Sequence, residues 1–147
     1  MNETHVPLIS SGTPGPLGVL HLPRLWQKLS LEARGKLAPG YPGMGRGFDA
    51  MTCAALGLSE QATQDYIQQN KPTYPEFEAW VKQRAKSLTP EVIEKHNAAV
   101  RGYIHDDETR TSVLGTCGMA EDASAPRDAV NLNNLDDWYA FHQAVLK

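Results

Sequence analysis

Three side chains near the start of the chain, His21, Arg24 and Lys28, are suited to binding a small acid and transferring a proton to or from it. On a helical wheel, Arg24 and Lys28 lie within about 60° of His21, beside the arc that holds Leu25 and Leu29. Basic groups that border an apolar stripe can pack their stems and turn their heads into a groove. A guanidinium binds carboxylate or phosphate as a planar fork, an ammonium acts as a point charge, and an imidazole titrates near neutral pH.

The same three residues also fit a solvated helix face. In that interpretation, Lys28 and Glu32 form an ordinary ion pair between side chains four positions apart. Spacing alone favours this second interpretation, because most charged helix faces are simply hydrated.

A glycine-rich segment, GYPGMGRG at residues 40–47, precedes the start of a predicted helix. Successive glycines allow a concave backbone whose N–H groups, with the helix dipole, favour an anion. We therefore expect Gly43, Gly45 and Arg46 to contribute to ligand binding. The segment is not a nucleotide-binding P-loop, since it lacks a Gly-Lys-Ser/Thr ending and a preceding strand. A hinge or lid is the alternative interpretation.

Two further residues near this loop could assist acid–base chemistry. Asp49 could act as a general base and Tyr41 as a hydroxyl donor. Each also has a structural alternative: a carboxylate in the first turn stabilises a helix and competes with an anionic ligand, and tyrosines commonly pack half-buried. The spacing of residues supports neither a Ser-His-Asp nor a Cys-His arrangement, and we predict neither a metal nor a cofactor.

Helical periodicity and capping patterns predict the elements that position these residues. Residues 1–20 are rich in Ser, Gly and Pro and should form an irregular arm, apolar enough to pack on the body. The first helix should begin around Pro23 and bury a stripe as far as Leu37, with Pro39 and Gly40 ending it. No segment alternates like a strand. The sequence therefore predicts an all-α fold: a single domain over residues 1–147 with six or seven short helices.

Start and stop patterns place the later helices. The start patterns are Ser59 as a cap, Thr73 with Glu76 as a capping box, Thr89 before Pro90, and Asp106 or Asp107 as a cap. The end pattern is Gly57, which is expected to end its helix in the left-handed conformation. Residues 118–133 should be a loop. A last helix should then carry Leu135, Trp138, His142 and Val145 on its apolar side, with Asp136 and Asp137 in its first turn.

Composition excludes several classes of function. The formal net charge is −3 and the charges are evenly scattered, which argues against a nucleic-acid binder. There is no run of 18 apolar residues to span a membrane and no pattern of a secretory signal. Cys53 and Cys117 are too few for a disulfide framework and are typical of free thiols in a reducing cytoplasm. A cytoplasmic location is therefore expected.

The chain resembles a family named domain of unknown function 5069, small proteins seen mostly in bacteria. The resemblance lies in Leu22-Pro23-Arg24 followed by Lys28, Gly40-Tyr41, Asp49 through Leu56-Gly57-Leu58, Trp80-Val81, Thr89-Pro90-Glu91 to Asn97, and Leu135-Asp136-Asp137. Relatives often carry an acidic residue before the lysine, where this chain has Gln27. The resemblance covers most of the chain and implies a compact helical fold, without a known activity, cofactor or catalytic residue.

Two functions follow as hypotheses. In the first, a pocket between the first helix and the glycine loop binds a small anionic metabolite, Arg24 and Lys28 hold it, and His21 transfers a proton. In the second, the arm and the aromatic residues Trp26, Trp138 and Tyr139 form a surface for another protein or for a second copy in a homodimer.

Overall fold

The computed structural model describes residues 3–147 of the chain. It contains seven α-helices and, within the described residues, no β-strand, so the predicted all-α class is confirmed. The helices are α1 (Leu22–Ala33), α2 (Phe48–Leu56), α3 (Glu60–Asn70), α4 (Tyr74–Arg84), α5 (Pro90–Gly102), α6 (Asp107–Cys117) and α7 (Ala129–Phe141), followed by a π-helical turn, His142–Leu146.

The main core forms where α1 packs against α3 and α4. Leu22, Leu25 and Leu29 follow the helical period along α1 and are buried against Phe77 and Val81 of α4. Each such side chain, when fully buried, contributes about 1.5–3 kcal/mol. A smaller cluster of Leu114, Ala125 and Leu132 joins α6 to α7. The first cluster holds α1 in place, and α1 carries most of the predicted site.

The local capping predictions are confirmed. The side chains of Ser59, Thr73, Thr89 and Asp106 each accept the backbone N–H three residues later, and Thr73 with Glu76 forms a full capping box. Gly57 ends α2 in the left-handed conformation at φ 69°. A Cβ at that position would also lie 2.8 Å from the Cβ of Lys86, so glycine is required there for two reasons.

The N-terminal arm packs on the helices, as its apolar residues predict. Val19 and Leu20 are buried, and the side chain of Asn97 on α5 accepts the Leu20 N–H at 2.9 Å and donates to the Gly18 carbonyl at 2.8 Å. Near the start of the arm, the His5 N–H donates to the Lys36 carbonyl at 2.7 Å. The arm is therefore held at both ends, and its middle lies over α1.

The prediction that α1 continues to Leu37 is wrong. The helix ends at Ala33, Gly35 adopts φ 67°, and the Lys36 N–H turns back to the Leu31 carbonyl at 2.8 Å. Leu37 then forms an isolated β-bridge with His5. The pairing with the arm takes the place of another helical turn, although the apolar period continues through it.

The predicted start of the last helix is also wrong. α7 begins at Ala129, where the Asp128 carboxylate accepts the Asn131 N–H at 3.0 Å, so the end of the expected loop is helical. This earlier start places Asp137 well inside the helix rather than in its first turn. It also turns a different face toward the protein: Asp137 is buried, while Trp138 is 56 % exposed.

The exposure of three residues, His142, Val145 and Trp26, differs from the predictions. His142 and Val145 are exposed, so neither belongs to a core stripe. Trp26, which the interaction hypothesis treats as exposed, packs edge-on against Tyr74 and donates its indole N–H to the Pro72 carbonyl at 3.0 Å. Trp26 is therefore half-buried against the core rather than part of an exposed aromatic surface. Within residues 3–147, no helix is both long and apolar enough to cross a membrane.

Candidate functional site

One cavity of about 470 Å³ lies where the start of α1, the glycine loop, the start of α2 and the middle of α7 meet. Seven of the eight residues predicted from sequence line it: His21, Arg24, Lys28, Tyr41, Gly45, Arg46 and Asp49. These seven residues come from three segments, α1, the glycine loop and the start of α2, and the tertiary fold is what brings them together. We call this space the His21 cavity.

Asp49 is at the centre of the polar groups in the His21 cavity. It is 2 % exposed, and its Oδ1 accepts the His21 Nε2–H at 2.6 Å. Its Oδ2 accepts the Gly45 N–H at 2.7 Å and the ammonium of Lys28. Lys28 therefore bonds to Asp49 rather than forming the surface pair with Glu32. The amide of the glycine loop, expected to bind an external anion, is bound to the chain's own carboxylate.

Burial and these contacts determine the charge states of His21 and Asp49. Burial by itself raises the pKa of Asp49, but the hydrogen bonds and charges of His21 and Lys28 outweigh burial and lower it to about 2. Burial lowers the pKa of His21 more than the hydrogen bond to Asp49 raises it. At neutral pH the pair is therefore a carboxylate and a neutral imidazole.

A second buried ion pair joins α1 to α7. The guanidinium of Arg24 donates to both carboxylate oxygens of Asp137, at 2.7 and 3.1 Å. Its Nη1 also donates to the carbonyls of Pro7 and Ile9, at 3.1 and 3.0 Å. Arg24 therefore fixes the arm as well as α7, and the two-point geometry is one that lysine could not reproduce.

Tyr41 completes this second pair. Its hydroxyl donates to Asp137 Oδ1 at 2.9 Å. Burial, followed by the charge of Asp137, raises the pKa of Tyr41, so the phenol remains a neutral donor. Burial also raises the pKa of Asp137, more than Arg24 and Tyr41 lower it.

The charges that line the His21 cavity cancel formally. They are the cations Arg24, Lys28 and Arg46 and the carboxylates Asp49, Asp136 and Asp137. Two of the cations are buried in ion pairs, whereas Arg46 is exposed at the cavity. Next to Arg46 lies the N-terminus of α2. Its N-cap residue is Gly47, which has no side chain to cap the helix, and both Gly47 and Phe48 line the same cavity.

Gly43 lies away from the cavity. It is buried beside Glu32, and a Cβ there would be 2.1–2.3 Å from the Glu32 carboxylate. The absence of a side chain at Gly43 therefore makes room for Glu32. Gly45, in contrast, lines the cavity and has its N–H engaged by Asp49.

Sequence reasoning missed two residues of the site, Ser11 and Asp137. Ser11 lies in the irregular arm, is 1 % exposed, and has its Oγ 2.9 Å from His21 Nδ1. Asp137 was assigned to a helix start. No spacing rule connects either residue to α1, because the separations of 10 and 113 positions carry no periodicity. Only the route of the chain in space relates them.

The fold and this cavity define an all-α protein with a buried, internally paired polar centre. The family model described as "Domain of unknown function (DUF5069)" matches residues 16–137, and the chain belongs to that family. The matched segment runs from before His21 to Asp137, while Ser11 precedes it. A search of curated proteins finds no match to the chain.

Proposed function

We propose that the His21 cavity binds a small molecule that carries a carboxylate or phosphate group, and that His21 performs acid–base chemistry on it. One observation carries the proposal: a titratable imidazole, a buried carboxylate and an exposed arginine line a single cavity of about 470 Å³. Ligand sites are typically concave, with a few converging polar groups, and groups with shifted pKa values collect in them.

The acid group of the ligand is best placed at Arg46 and the start of α2. Arg24 and Lys28 already have aspartate partners, so their charges are offset within the protein. Arg46 forms no ion pair within residues 3–147 and lies next to the N-terminus of α2, whose N-cap is a glycine. Backbone N–H groups and the helix dipole at that end favour negative charge. In this arrangement, Arg24 and Lys28 position Asp137 and Asp49.

The reacting end of the ligand is expected to lie toward His21. The neutral imidazole can accept a proton, and Asp49 stabilises the imidazolium that forms. Tyr41 remains a neutral phenol because burial raises its pKa, and its hydroxyl donates to Asp137, so its role is to position that carboxylate. The ring of Phe48, 5.5 Å from that of His21, provides an apolar wall beside the imidazole.

Binding can be tested with simple anions. Thermal shift and calorimetry with benzoate, phenyl phosphate and inorganic phosphate should detect binding to the wild-type chain. Arg46→Gln should weaken it about tenfold or more, since a hydrogen bond to a charged group contributes about 1.5–3 kcal/mol. Arg101→Gln, at an exposed position on α5, is the matched control and should bind as the wild type does. Equal affinities of the wild type and Arg46→Gln would refute this placement.

A second candidate is self-association through the end of α7. Trp138, Val145 and Leu146 are 56 %, 64 % and 66 % exposed and lie within nine positions of one another. Large exposed apolar residues that cluster commonly mark contacts with another protein, and a twofold dimer is the commonest. Light scattering during size exclusion tests this: a dimer that Trp138→Ala dissociates supports the candidate, and a monomer at all concentrations removes it.

A further inference from the structure

The His21 cavity contains a hydroxyl group that the proposed function does not use. Ser11 lines the cavity, and its Oγ lies 2.9 Å from Nδ1 of His21. On the opposite side of the ring, Nε2 lies 2.6 Å from Asp49 Oδ1. All three residues are buried, with at most 2 % of their surface exposed. Ser11, His21 and Asp49 therefore form one continuous hydrogen-bonded chain.

The direction of the hydrogen bonds in this chain follows from the partners of Asp49. An ionised carboxylate can only accept, so the short contact to Asp49 requires the proton on Nε2 of His21. A neutral ring then has its lone pair on Nδ1. The hydroxyl of Ser11 must therefore donate to Nδ1, which is the orientation a base needs to withdraw a serine proton.

The backbone also holds the imidazole of His21 in place. His21 precedes α1 at φ 73° and ψ −21°, a left-handed conformation that residues with a side chain seldom adopt. Such strain costs about 1–3 kcal/mol and tends to occur at functional sites. Hydrogen bonds at both ring nitrogens also fix the orientation of the imidazole, with Nδ1 toward Ser11.

We propose that Ser11 is a nucleophile, activated by His21 and Asp49, that attacks small carboxylic esters. The arrangement has the connectivity of a serine hydrolase triad with the two ring nitrogens exchanged. This inference rests on the proposed function, because the ester must enter the same cavity. The partial positive charge at the N-terminus of α2, which lines that cavity, suits the oxyanion that forms.

The reaction balances with water as the only co-reactant. Ser11 Oγ bonds to the carbonyl carbon while its proton passes to His21 Nδ1. The carbon–oxygen bond to the alcohol then breaks, and the alcohol leaves with that proton. A water molecule next gives a proton to Nδ1 as its oxygen attacks the acyl carbon. The acid leaves, and the proton returns to Ser11 Oγ, so an ester and water give an acid and an alcohol.

The test is covalent labelling of the full chain with diisopropyl fluorophosphate. Attack by Ser11 on phosphorus displaces fluoride, and the proton from the hydroxyl leaves by way of His21. Intact mass should show one diisopropylphosphoryl group, and peptide mapping should place it on Ser11. His21→Gln should slow labelling by about 10²–10⁴-fold, the usual contribution of a general base.

Matched variants separate catalysis from folding. Ser11→Ala should remove the label, whereas Ser10→Ala should keep it, since Ser10 lies next to Ser11 and does not line the cavity. Peptide mapping of the wild-type chain decides the question even if Ser11→Ala does not fold. Absence of label on Ser11, or equal labelling rates in His21→Gln and wild type, overturns the inference.

The two proposals can fail separately. If phenyl phosphate binds and depends on Arg46 while Ser11 stays unlabelled, the nucleophile is wrong and the binding site stands. If Ser11 is labelled and hydrolyses 4-nitrophenyl acetate, but no anion binds at Arg46, the ester chemistry stands and the acid-binding proposal fails.

Discussion

Arg24 and Asp137 are 113 positions apart in the chain, and their side chains form a buried ion pair through two hydrogen bonds of 2.7 and 3.1 Å. The pair connects the first helix to the last and forms one wall of the His21 cavity. Because Arg24 also binds two carbonyls of the arm, three distant segments depend on one guanidinium.

Removing one member of this pair should destabilise the protein strongly. Asp137→Ala leaves the buried charge of Arg24 without its counter-ion, which costs about 3–5 kcal/mol. Urea unfolding followed by circular dichroism measures the loss. Tyr41→Phe is the control, because it removes one hydrogen bond to Asp137 and should cost about 0.5–1.5 kcal/mol. A loss below 1 kcal/mol for Asp137→Ala would contradict a buried pair.

Asp49→Asn should lower the free energy of unfolding by a similar amount, for a different reason. The substitution leaves the buried ammonium of Lys28 without its counter-ion, and the expected loss is about 3–5 kcal/mol of unfolding free energy. Asp107→Asn provides the comparison: Asp107 is also in the first turn of a helix but is almost fully exposed. Its substitution should change stability little, within about 0.5 kcal/mol. Equal effects of the two variants would show that Asp49 serves only the helix dipole.

The proton on the neutral ring of His21 should be on Nε2. Nitrogen NMR of the imidazole at pH 8 distinguishes the two tautomers by their chemical shifts. In Asp49→Asn, where the side chain can donate as well as accept, the preference should weaken. A ring protonated on Nδ1 in the wild type would mean that Ser11 is an acceptor, and it would remove the basis for an activated hydroxyl.

Stability should fall as the pH is lowered from 7 to 5. Burial lowers the pKa of both His21 and His96 below 6.5. Between 6.5 and the lower folded value, the unfolded chain therefore binds more protons than the folded chain. The stability that the two neutral histidines contribute is complete above pH 6.5 and is lost below it. The free energy of unfolding then falls by at most about 1.4 kcal/mol per pH unit for each histidine.

Urea titrations at pH 5, 6, 7 and 8 measure this dependence. His96→Gln should reduce the slope, because His96 is buried on the Leu20 carbonyl, away from the cavity. Asp49 adds a second loss only in stronger acid, between pH 3.8 and about 2, since its pKa is lowered. Stability that is unchanged or higher at pH 5 would contradict the burial of neutral histidines.

Two tryptophans should respond differently to truncation. Trp26→Ala removes packing against Tyr74 and leaves the Pro72 carbonyl without its donor, so a loss of about 2 kcal/mol or more is expected. Trp138→Ala, at a position 56 % exposed, should lie within about 0.5 kcal/mol of wild type in the monomer. Circular dichroism in urea compares them without relying on tryptophan fluorescence. A larger loss for Trp138→Ala than for Trp26→Ala would mean that the Trp138 side chain is buried rather than exposed.

Most helix starts were predictable because capping is a local interaction. The partner of Thr73 or Thr89 lies three residues away, so the pattern is visible in the sequence itself. The end of α1 was not predictable in this way, since Leu37 continues the apolar period but pairs with His5 of the arm. At that point, a contact between distant segments outweighs the local preference for helix.

In the candidate site too, local features were predictable and contacts between distant segments were not. Residue types and short spacing indicated that His21, Lys28 and Asp49 belong together, because a basic helix edge and a following helix start lie close along the chain. Their partners were not indicated: the two interpretations of Lys28 were an external acid and Glu32, and Asp137 was expected to stabilise a helix start. Surface pairing is the default expectation for charges, and only burial makes a specific counter-ion necessary.

The sequence alone therefore determined the helical class, the caps and the segment that lines most of the His21 cavity, because each depends on residues within a few turns of one another. The tertiary structure decided which charges are paired, that Ser11 meets His21, and which side of α7 is buried. These features depend on how distant segments pack against each other, and the loss of hydration on burial is what selects their partners.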